Sequence, residues 1–215
     1  RPDRAIFVPN HSVPSAPATD ILTKHTTHFS TADADGNWVA VTATVNTSFG
    51  SKVVVPGTGI VLNNEMDDFS AQPGATNFFG LVGAEANSIA PGKRPLSSMS
   101  PTIVLLNGRP ILSIGAAGGP TIISQVVLGL VNVIDFGMDL ETALAQPRFH
   151  HQWKPDELRI ERSAPEAVVT SLRKLGHKVV AVDPIGAAQA VAVSATGLEL
   201  LGAHAPRLKG AASGW

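Results

Sequence analysis

The stretch TTHFSTADADGNWVAVTATVN, residues 26–46, gives the clearest indication of fold class in this chain. Residues 26–32 alternate in character, residues 33–37 have the composition of a turn, and residues 38–46 alternate again. Alternation on both sides of a turn predicts a β-hairpin. Residues two apart on a strand share a face, so this hairpin would carry a polar face on each strand. Those faces hold Thr26, His28 and Ser30 on the first strand and Thr42, Thr44 and Asn46 on the second.

Two interpretations fit such a polar face. It could bring one hydroxyl against another, as a reactive site needs. It could equally be a solvated strand face, because threonine is a favoured strand residue. Pattern alone leaves both interpretations open.

Outward from the hairpin, turn and helix signals divide the rest of the chain. Asn107-Gly108 predicts a second hairpin between residues 101–106 and 109–115. A helix is expected from Pro120 to about residue 136; it is apolar nearly all round and should be covered on both sides. A short helix over 139–145 capped by Asp139, a strand over 158–161, a helix over 165–175, a strand over 178–182 and a hairpin over 187–193 and 198–203 complete the prediction.

These elements predict an α+β fold with helices layered on antiparallel sheets. Residues 1–25 are expected to be an extended, proline-rich tail. Residues 70–95, rich in glycine and proline, are expected to form a long ordered loop, and such loops are usually functional.

Composition narrows the classes of function. The chain has 215 residues, 44% of them hydrophobic, and a formal net charge of −1. A near-neutral charge gives no general attraction to nucleic acid or to an anionic membrane. The absence of cysteine excludes disulfides, thiolate zinc sites and a cysteine nucleophile. We expect no signal peptide in residues 1–17 and no membrane span, since the apolar run 121–134 is shorter than the roughly 20 residues required.

Three short motifs carry groups that could do chemistry. The cluster 63–68 (NNEMDD) places three carboxylates in four residues, which suits an ammonium group or a metal, although calcium-loop spacing is missing. The serines of 97–101 (SSMSP) suit a carboxylate. The segment 115–119 (GAAGG) could aim backbone N–H groups at one point, as an oxyanion hole or phosphate cradle requires. An acidic surface turn, a serine-rich loop and a tight strand-to-helix turn are the respective alternatives.

Metal binding and a serine triad have little support. His150 and His151 are adjacent and point apart, and His25 and His28 lack a carboxylate close in sequence. No Gly-x-Ser-x-Gly elbow occurs.

In their order along the chain, these motifs resemble the small subunit of gamma-glutamyltransferases from about Thr26 to Arg207. The matching segments are TTHFS at 26–30, DGN at 35–37, NTSFG at 46–50, LNNEMDDF at 62–69, KRPLSSMSPT at 93–102 and PRFHHQW at 147–153.

This resemblance implies an N-terminal nucleophile hydrolase whose precursor cuts itself between His25 and Thr26. Residues 1–25 would be the tail of the large subunit, or processing segment, and residues 26–215 the catalytic small subunit. Thr26 would be the nucleophile, and the Thr44 hydroxyl would orient it. Cleavage frees an α-amine that can act as the base, which an amide nitrogen cannot. The implied fold is the small-subunit part of an αββα sandwich.

The resemblance also assigns substrate contacts residue by residue. Asn46, Glu65 and Asp68 would hold the α-amino group of the glutamyl moiety, and carboxylates suit an ammonium. Ser97 and Ser98 would bind its α-carboxylate.

The remaining implied parts are an oxyanion hole, a lid and partners. Gly118 and Gly119 would supply the oxyanion hole, and residues 73–87 a lid. The implied activity is cleavage of the gamma-glutamyl amide of glutathione and related compounds, with transfer to water or to an amino-acid or peptide acceptor. The large subunit of the same precursor would be the partner, with no cofactor and no metal, in the periplasm or outside the cell.

Some positions depart from the family pattern. Glu65 stands where some bacterial members have glutamine, and Pro120-Thr121 where some have Ser-Arg. The aspartate usual before Pro206-Arg207 is absent, as is the large-subunit arginine that binds the α-carboxylate.

Two alternative functions remain open on sequence. A related cephalosporin or glutaryl acylase is one, although its substrate lacks the α-amino group, which would leave the acidic pair Glu65 and Asp68 unpaired. A scaffold homologue that no longer matures is the other.

Overall fold

The computed structural model describes residues 6–7, 26–207 and 210–214, grouped in two compact units. The first unit holds the described residues up to Thr27 together with residues 43–97, and the second holds residues 28–42 and those from Ser98 onward. Apart from residues 6–7, the predicted tail 1–25 lies outside the described residues, and so does His25 of the expected cleavage site. The division of the chain at residues 25 and 26 stays a prediction.

The described strands and helices follow in chain order. The strands are β1 Ile6–Phe7, β2 Thr26–Ala32, β3 Trp38–Thr44, β4 Val53–Val54, β5 Thr102–Leu106, β6 Arg109–Ala117, β7 Phe149–His150, β8 Leu158–Glu161, β9 Val179–Val182, β10 Ala187–Val193 and β11 Leu200–His204. The helices are α1 Thr121–Ile134, α2 Leu140–Ala145 and α3 Glu166–Lys174, with single 3-10 turns at Glu65–Asp68 and Glu85–Asn87.

The core of the second unit is a four-stranded antiparallel sheet in the order β11-β10-β6-β5. The predicted hairpin at Asn107-Gly108 is confirmed: both residues have positive φ, 50° and 79°, and Leu106 pairs with Arg109. Positive φ at both turn residues matches the twist of the flanking strands, which explains why this dipeptide closes β5 and β6.

Helix α1 packs one face on this sheet. Ile122 and Val126 are buried with Leu112 and Ile114 of β6 in the main apolar cluster. At Gly129 an added Cβ would lie 2.6 Å from Cδ1 of Ile114, so the glycine allows close approach of helix and sheet.

Two features of α1 bear on its prediction. Its outward residues Ile123, Val127 and Ile134 are 50%, 51% and 54% exposed, so among the described residues the sheet covers one face, and cover on the other face stays a prediction. Pro120 immediately precedes the helix instead of forming its first residue.

A second, three-stranded sheet has the order β7-β8-β9. The predicted strand over 158–161 is confirmed, but β8 and β9 run parallel, whereas the sequence predicted antiparallel sheets only. The reason is the intervening helix α3, which connects the strands as a crossover and buries Val169 against Leu158 and Ile160.

The predicted cap of the short helix α2 is confirmed, since Asp139 Oδ1 accepts from the Thr142 N–H at 2.9 Å.

The first unit is rich in loops. Its strands β1 and β4 form a short antiparallel pair, and the two 3-10 turns lie in its long connections. The predicted hairpin 26–46 is confirmed as β2 and β3, whose ends at Thr26–Thr27 and Ala43–Thr44 belong to this unit. The described residues form four separate sheets and three α-helices, which confirms the α+β class. Among the described residues, no helix combines the length and apolarity needed to cross a membrane.

Candidate active site

Two threonine hydroxyls meet at the open end of the hairpin, in the first unit. Thr26 Oγ1 donates to Thr44 Oγ1 at 3.1 Å, and the backbone N–H of Asn46 donates to the same Thr44 oxygen at 2.9 Å. The alternation that puts both threonines on one face of the hairpin also brings their oxygens within hydrogen-bond reach. A hydroxyl held by a second hydroxyl has a fixed direction, which a nucleophile requires.

Asn46 joins this pair to the acidic turn. Its side chain is 8% exposed, its φ is 75°, and its Nδ2 donates to the carbonyl of Asn64 at 3.1 Å. The Oδ1 of Asn64 in turn accepts from the N–H and hydroxyl of Thr47. Residues 46–47 and residue 64 are thereby fixed to each other, and Glu65 follows directly in the chain.

The three carboxylates of the 3-10 turn divide into a pair and a single group. Glu65 and Asp68 hydrogen-bond to each other and are partly buried, while exposed Asp67 accepts from Asn64 Nδ2 at 2.7 Å. Burial raises the pKa of Glu65, and the negative charge of Asp68 raises it further. Burial also raises the pKa of Asp68, against the lowering effect of its hydrogen bond with Glu65. Each of these carboxylates disfavours the ionisation of the other, and a bound cation would relieve that repulsion.

The loop 73–87 borders this turn. Together with residues 66–71, 89 and 96 it lines a cavity of about 460 Å³, which includes Asp68 and apolar side chains such as Phe78 and Leu81. Asn87 Nδ2 donates to the Asp68 carbonyl at 2.8 Å and so fixes the loop to the acidic turn. Ser97, at the end of the first unit, is exposed.

Three of the expected site residues belong to the second unit. Ser98 is half-buried, and its carbonyl accepts from the Ser100 hydroxyl at 3.2 Å. Gly118 and Gly119 follow β6 with φ of 142° and 57°, conformations that favour glycine. The structure thus places Thr26, Thr44, Asn46, Glu65, Asp68 and Ser97 in one unit and Ser98, Gly118 and Gly119 in the other.

Sequence reasoning did not predict that His28 is buried and hydrogen-bonded through both ring nitrogens. This side chain is 4% exposed, and its ring nitrogens bond the hydroxyls of Thr42 at 2.8 Å and Ser30 at 3.0 Å. Ser113 of β6 donates to Ser30 at 2.8 Å. Burial lowers the pKa of His28 from 6.5 to about 4, so the imidazole is neutral at pH 7. The alternative of a solvated strand face is therefore wrong here, and the shared face with Ser30 was the signal that could have found this network.

His150 and His151 point apart as expected, the first buried and the second exposed. His150 Nδ1 lies 2.8 Å from Ser124 Oγ. Across the described part of the chain, no three His, Cys, Asp or Glu side chains are grouped to hold a metal ion.

The family model of gamma-glutamyltranspeptidase matches residues 4–215. The chain belongs to the gamma-glutamyltranspeptidase family. It is 50% identical over 182 residues to the glutathione hydrolase proenzyme of Escherichia coli strain K12, a match that covers 85% of this chain and 31% of that protein. The chain thus spans less than a third of the length of this relative.

Solved structures of the gamma-glutamyltranspeptidase family share the fold. A variant enzyme from Helicobacter pylori matches with a TM-score of 0.81 and 48% identity, covering 85% of this chain and 100% of that chain. The cephalosporin acylase of Bacillus halodurans matches with a TM-score of 0.75 and 30% identity, covering 87% of this chain and 34% of that chain. The expected fold, the small-subunit part of an N-terminal nucleophile hydrolase sandwich, is confirmed by these matches.

Proposed function

We propose that this chain supplies the catalytic part of a self-processing threonine hydrolase and transferase that cleaves gamma-glutamyl amides such as glutathione. The observation that carries the proposal is the contact of Thr26 with Thr44 at the open end of the hairpin. Family membership and the similarity to glutathione hydrolase proenzymes support it.

Maturation is the first step of the proposal. The Thr26 hydroxyl attacks the carbonyl carbon of His25, the acyl group moves from nitrogen to oxygen, and water hydrolyses the ester. The products are a carboxylate at residue 25 and a free α-amine at Thr26. Before the cut that nitrogen is an amide and cannot accept a proton.

Catalysis follows the same pattern on the substrate. The Thr26 amine accepts the hydroxyl proton while the oxygen attacks the gamma-carbonyl carbon, and the leaving amine departs with that proton. Water or an acceptor amine then attacks the gamma-glutamyl ester and restores the threonine. We assign stabilisation of the oxyanion to the N–H groups of Gly118 and Gly119, on their backbone conformation and on the sequence resemblance.

Substrate recognition is assigned to opposite charges. The α-ammonium of the glutamyl group would bind Glu65 and Asp68 and donate a further hydrogen bond to the Asn46 side-chain oxygen. Ser97 and Ser98 would bind the α-carboxylate.

The large subunit of the same precursor is the proposed partner. The outward face of α1, with Ile123, Val127 and Ile134 about half exposed, is apolar enough to need a covering surface. Amino acids or peptides are the proposed acceptors, and a periplasmic or secreted location is proposed from the family resemblance.

Processing by Thr26 itself gives the decisive test. Thr26→Ala in the full precursor should stay uncleaved, and mass spectrometry would detect any fragment. A fragment that begins at residue 26 in this variant would refute self-processing, and a wild-type chain that never matures would favour the scaffold alternative.

The acylase is a second candidate because the Bacillus halodurans acylase shares the fold at 30% identity. The acidic pair argues against it, since a glutaryl group offers only uncharged methylene at that point. Hydrolysis of gamma-glutamyl anilide should exceed that of glutaryl anilide at least tenfold, and the reverse preference would establish the acylase.

A further inference from the structure

Side chains of helix α1 hydrogen-bond to the segment Ala117–Gly119, the glycine loop, which consists of the last residue of β6 and the two glycines after it. Gln125 is 1% exposed, and its Nε2 donates to the Ala117 carbonyl at 2.9 Å and to Thr121 Oγ1 at 3.1 Å. Thr121 Oγ1 donates in turn to the Gly118 carbonyl at 2.7 Å. Both hydrogens of the amide nitrogen and the single hydroxyl hydrogen are therefore used, two of them on carbonyls of this segment and one on the Thr121 hydroxyl.

These contacts fix the direction of two backbone N–H groups. A peptide unit is planar and trans, so its C=O and N–H point in opposite directions. The Ala117 carbonyl shares its peptide unit with the N–H of Gly118, and the Gly118 carbonyl shares its unit with the N–H of Gly119. Hydrogen bonds between the described residues use these two carbonyls but neither glycine N–H, which both point away from Gln125 and Thr121.

The glycine conformations leave no space for another arrangement. A Cβ added to Gly118 would lie 2.5 Å from Thr121 Oγ1 and 2.8 Å from Gln125 Nε2. A Cβ added to Gly186 would collide with Gln125 Nε2 and with the Ala117 carbonyl. The Gln125 amide therefore occupies a slot between two glycine backbones that any larger residue would close.

A buried cation holds the other end of the amide. Arg148 Nη1 donates to Gln125 Oε1 at 2.8 Å and to the Ile185 carbonyl at 2.7 Å, and Nη2 donates to the Leu144 carbonyl at 3.1 Å. Since a guanidinium only donates, it forces the oxygen of the amide toward itself and the nitrogen toward the loop.

We propose that Gln125 and Thr121 are positioning residues that aim the Gly118 and Gly119 N–H groups at the oxyanion of the transition state. This inference rests on the proposed function. It predicts that loss of either contact weakens transition-state stabilisation and leaves ground-state substrate binding almost unchanged, because the oxyanion forms only during reaction.

Three variants test the proposal in the matured full protein with gamma-glutamyl anilide. Gln125→Glu keeps an oxygen for Arg148 but removes the donors to the loop, Gln125→Met removes all contacts, and Thr121→Val removes the hydroxyl. Each should lower kcat about 10- to 100-fold with KM within about twofold, since small misplacements of catalytic donors have effects of this order. Thr121→Ser should retain kcat.

Asn132→Leu is the matched control. Asn132 lies on the same helix and donates to the Ala143 carbonyl at 3.1 Å, away from the glycine loop. It should lower the thermal midpoint comparably while kcat stays at the wild-type value. Gln125 variants that lower kcat no more than Asn132→Leu, or that raise KM alone, would overturn the proposal.

Amide hydrogen exchange separates this inference from the proposed function. The Thr121 N–H donates to the Gly118 carbonyl at 3.2 Å and reports on the segment, so its exchange should become faster in Gln125→Met and stay unchanged in Asn132→Leu, whether or not the protein is active. Unchanged exchange in Gln125→Met refutes the positioning role, whereas absent gamma-glutamyl hydrolysis in the wild-type protein refutes the proposed function.

Discussion

At the scale of single residues, substituting Asp68 should weaken substrate binding without destabilising the fold. Its carboxylate is partly buried beside Glu65, and both pKa values are raised above their ordinary range, burial being the first cause for each. Asp68→Asn removes one of two repelling charges but keeps a side chain that can hydrogen-bond Glu65. We expect kcat/KM for gamma-glutamyl anilide to fall about 30- to 1000-fold in the matured protein, the equivalent of roughly 2–4 kcal/mol for a charge-assisted contact.

The neighbouring Asp67 provides the control for this substitution. Asp67 is exposed and accepts from Asn64, so Asp67→Asn should change kcat/KM less than about threefold. Equal losses in both variants would remove Asp68 from the ammonium site.

The stability of Asp68→Asn should change in the opposite sense. A carboxyl whose folded pKa is raised binds its proton more tightly when folded, so the free energy of unfolding falls as pH rises from the ordinary pKa through the raised one. An asparagine side chain does not titrate, so Asp68→Asn does not lose stability in this way. Its thermal midpoint should equal or exceed that of the wild-type protein at pH 7, and a clear decrease there would contradict the assigned direction of the pKa shift.

The pH dependence of stability that His28 contributes has the opposite sign. Its folded pKa is lowered from 6.5 to about 4, so the unfolded chain binds the proton more tightly and stability falls as pH drops from 6.5 toward 4. His28→Gln lacks this titration. The stability advantage of the wild-type protein should therefore shrink on acidification by up to about 1.4 kcal/mol per pH unit. Urea unfolding at pH 7, 6 and 5 measures the difference, and a constant difference would exclude a buried neutral imidazole.

At the scale of secondary-structure elements, Gly129 determines how closely α1 approaches β6. Gly129→Ala gains helix propensity of roughly 1 kcal/mol, but its Cβ would lie 2.6 Å from Cδ1 of fully buried Ile114. Overpacking should outweigh the gain and leave a net loss of about 1–2 kcal/mol in the free energy of unfolding.

A double-mutant cycle isolates that contact. Ile114→Val removes Cδ1, so Gly129→Ala should cost little or become stabilising in the Ile114→Val background. Denaturant unfolding of the four proteins gives the coupling energy, and additive effects would show that the helix shifts as a body instead.

The elements also show what sequence can predict. The hairpin at Asn107-Gly108, the strand Leu158–Glu161 and the Asp139 cap follow from local rules about turns, alternation and orphan N–H groups, and the structure has all three. The parallel pair β8–β9 was missed because the direction of a pairing depends on the crossover between strands, which no local pattern records. The buried partners of His28 and Gln125 were not found because they are distant in the chain, 14 residues for Thr42 and 23 residues for Arg148.

At the scale of the whole molecule, the proposed site depends on a chemical event at one bond. Thr26 and Thr44 are already in contact, so no rearrangement of the hairpin is needed to orient the Thr26 hydroxyl. The missing group is the base, since the Thr26 nitrogen is an amide while it remains joined to His25. The candidate residues were identified from motifs, but whether the site is active depends on this cut.

The last prediction separates the two roles of Thr26, in maturation and in catalysis. The two subunits can be co-expressed as separate chains, with the small one beginning at Thr26 after removal of its initiator methionine. This assembly should be active without self-cleavage because the amine is already free. Thr26→Ser should retain measurable activity in this format, since it keeps hydroxyl and amine, and Thr26→Ala should be inactive because no gamma-glutamyl ester can form.

Covalent trapping locates the nucleophile in the same assembly. A substrate-like electrophile should add mass to the peptide that starts at Thr26 and to no other peptide. Thr44 is the internal control, because its oxygen lies 3.1 Å from the Thr26 oxygen but has no α-amine of its own to act as base. A label on Ser97, Ser98 or Ser100 would refute the assignment and require a serine mechanism, whereas a label confined to Thr26 that disappears in Thr26→Ala assigns ester formation to that hydroxyl.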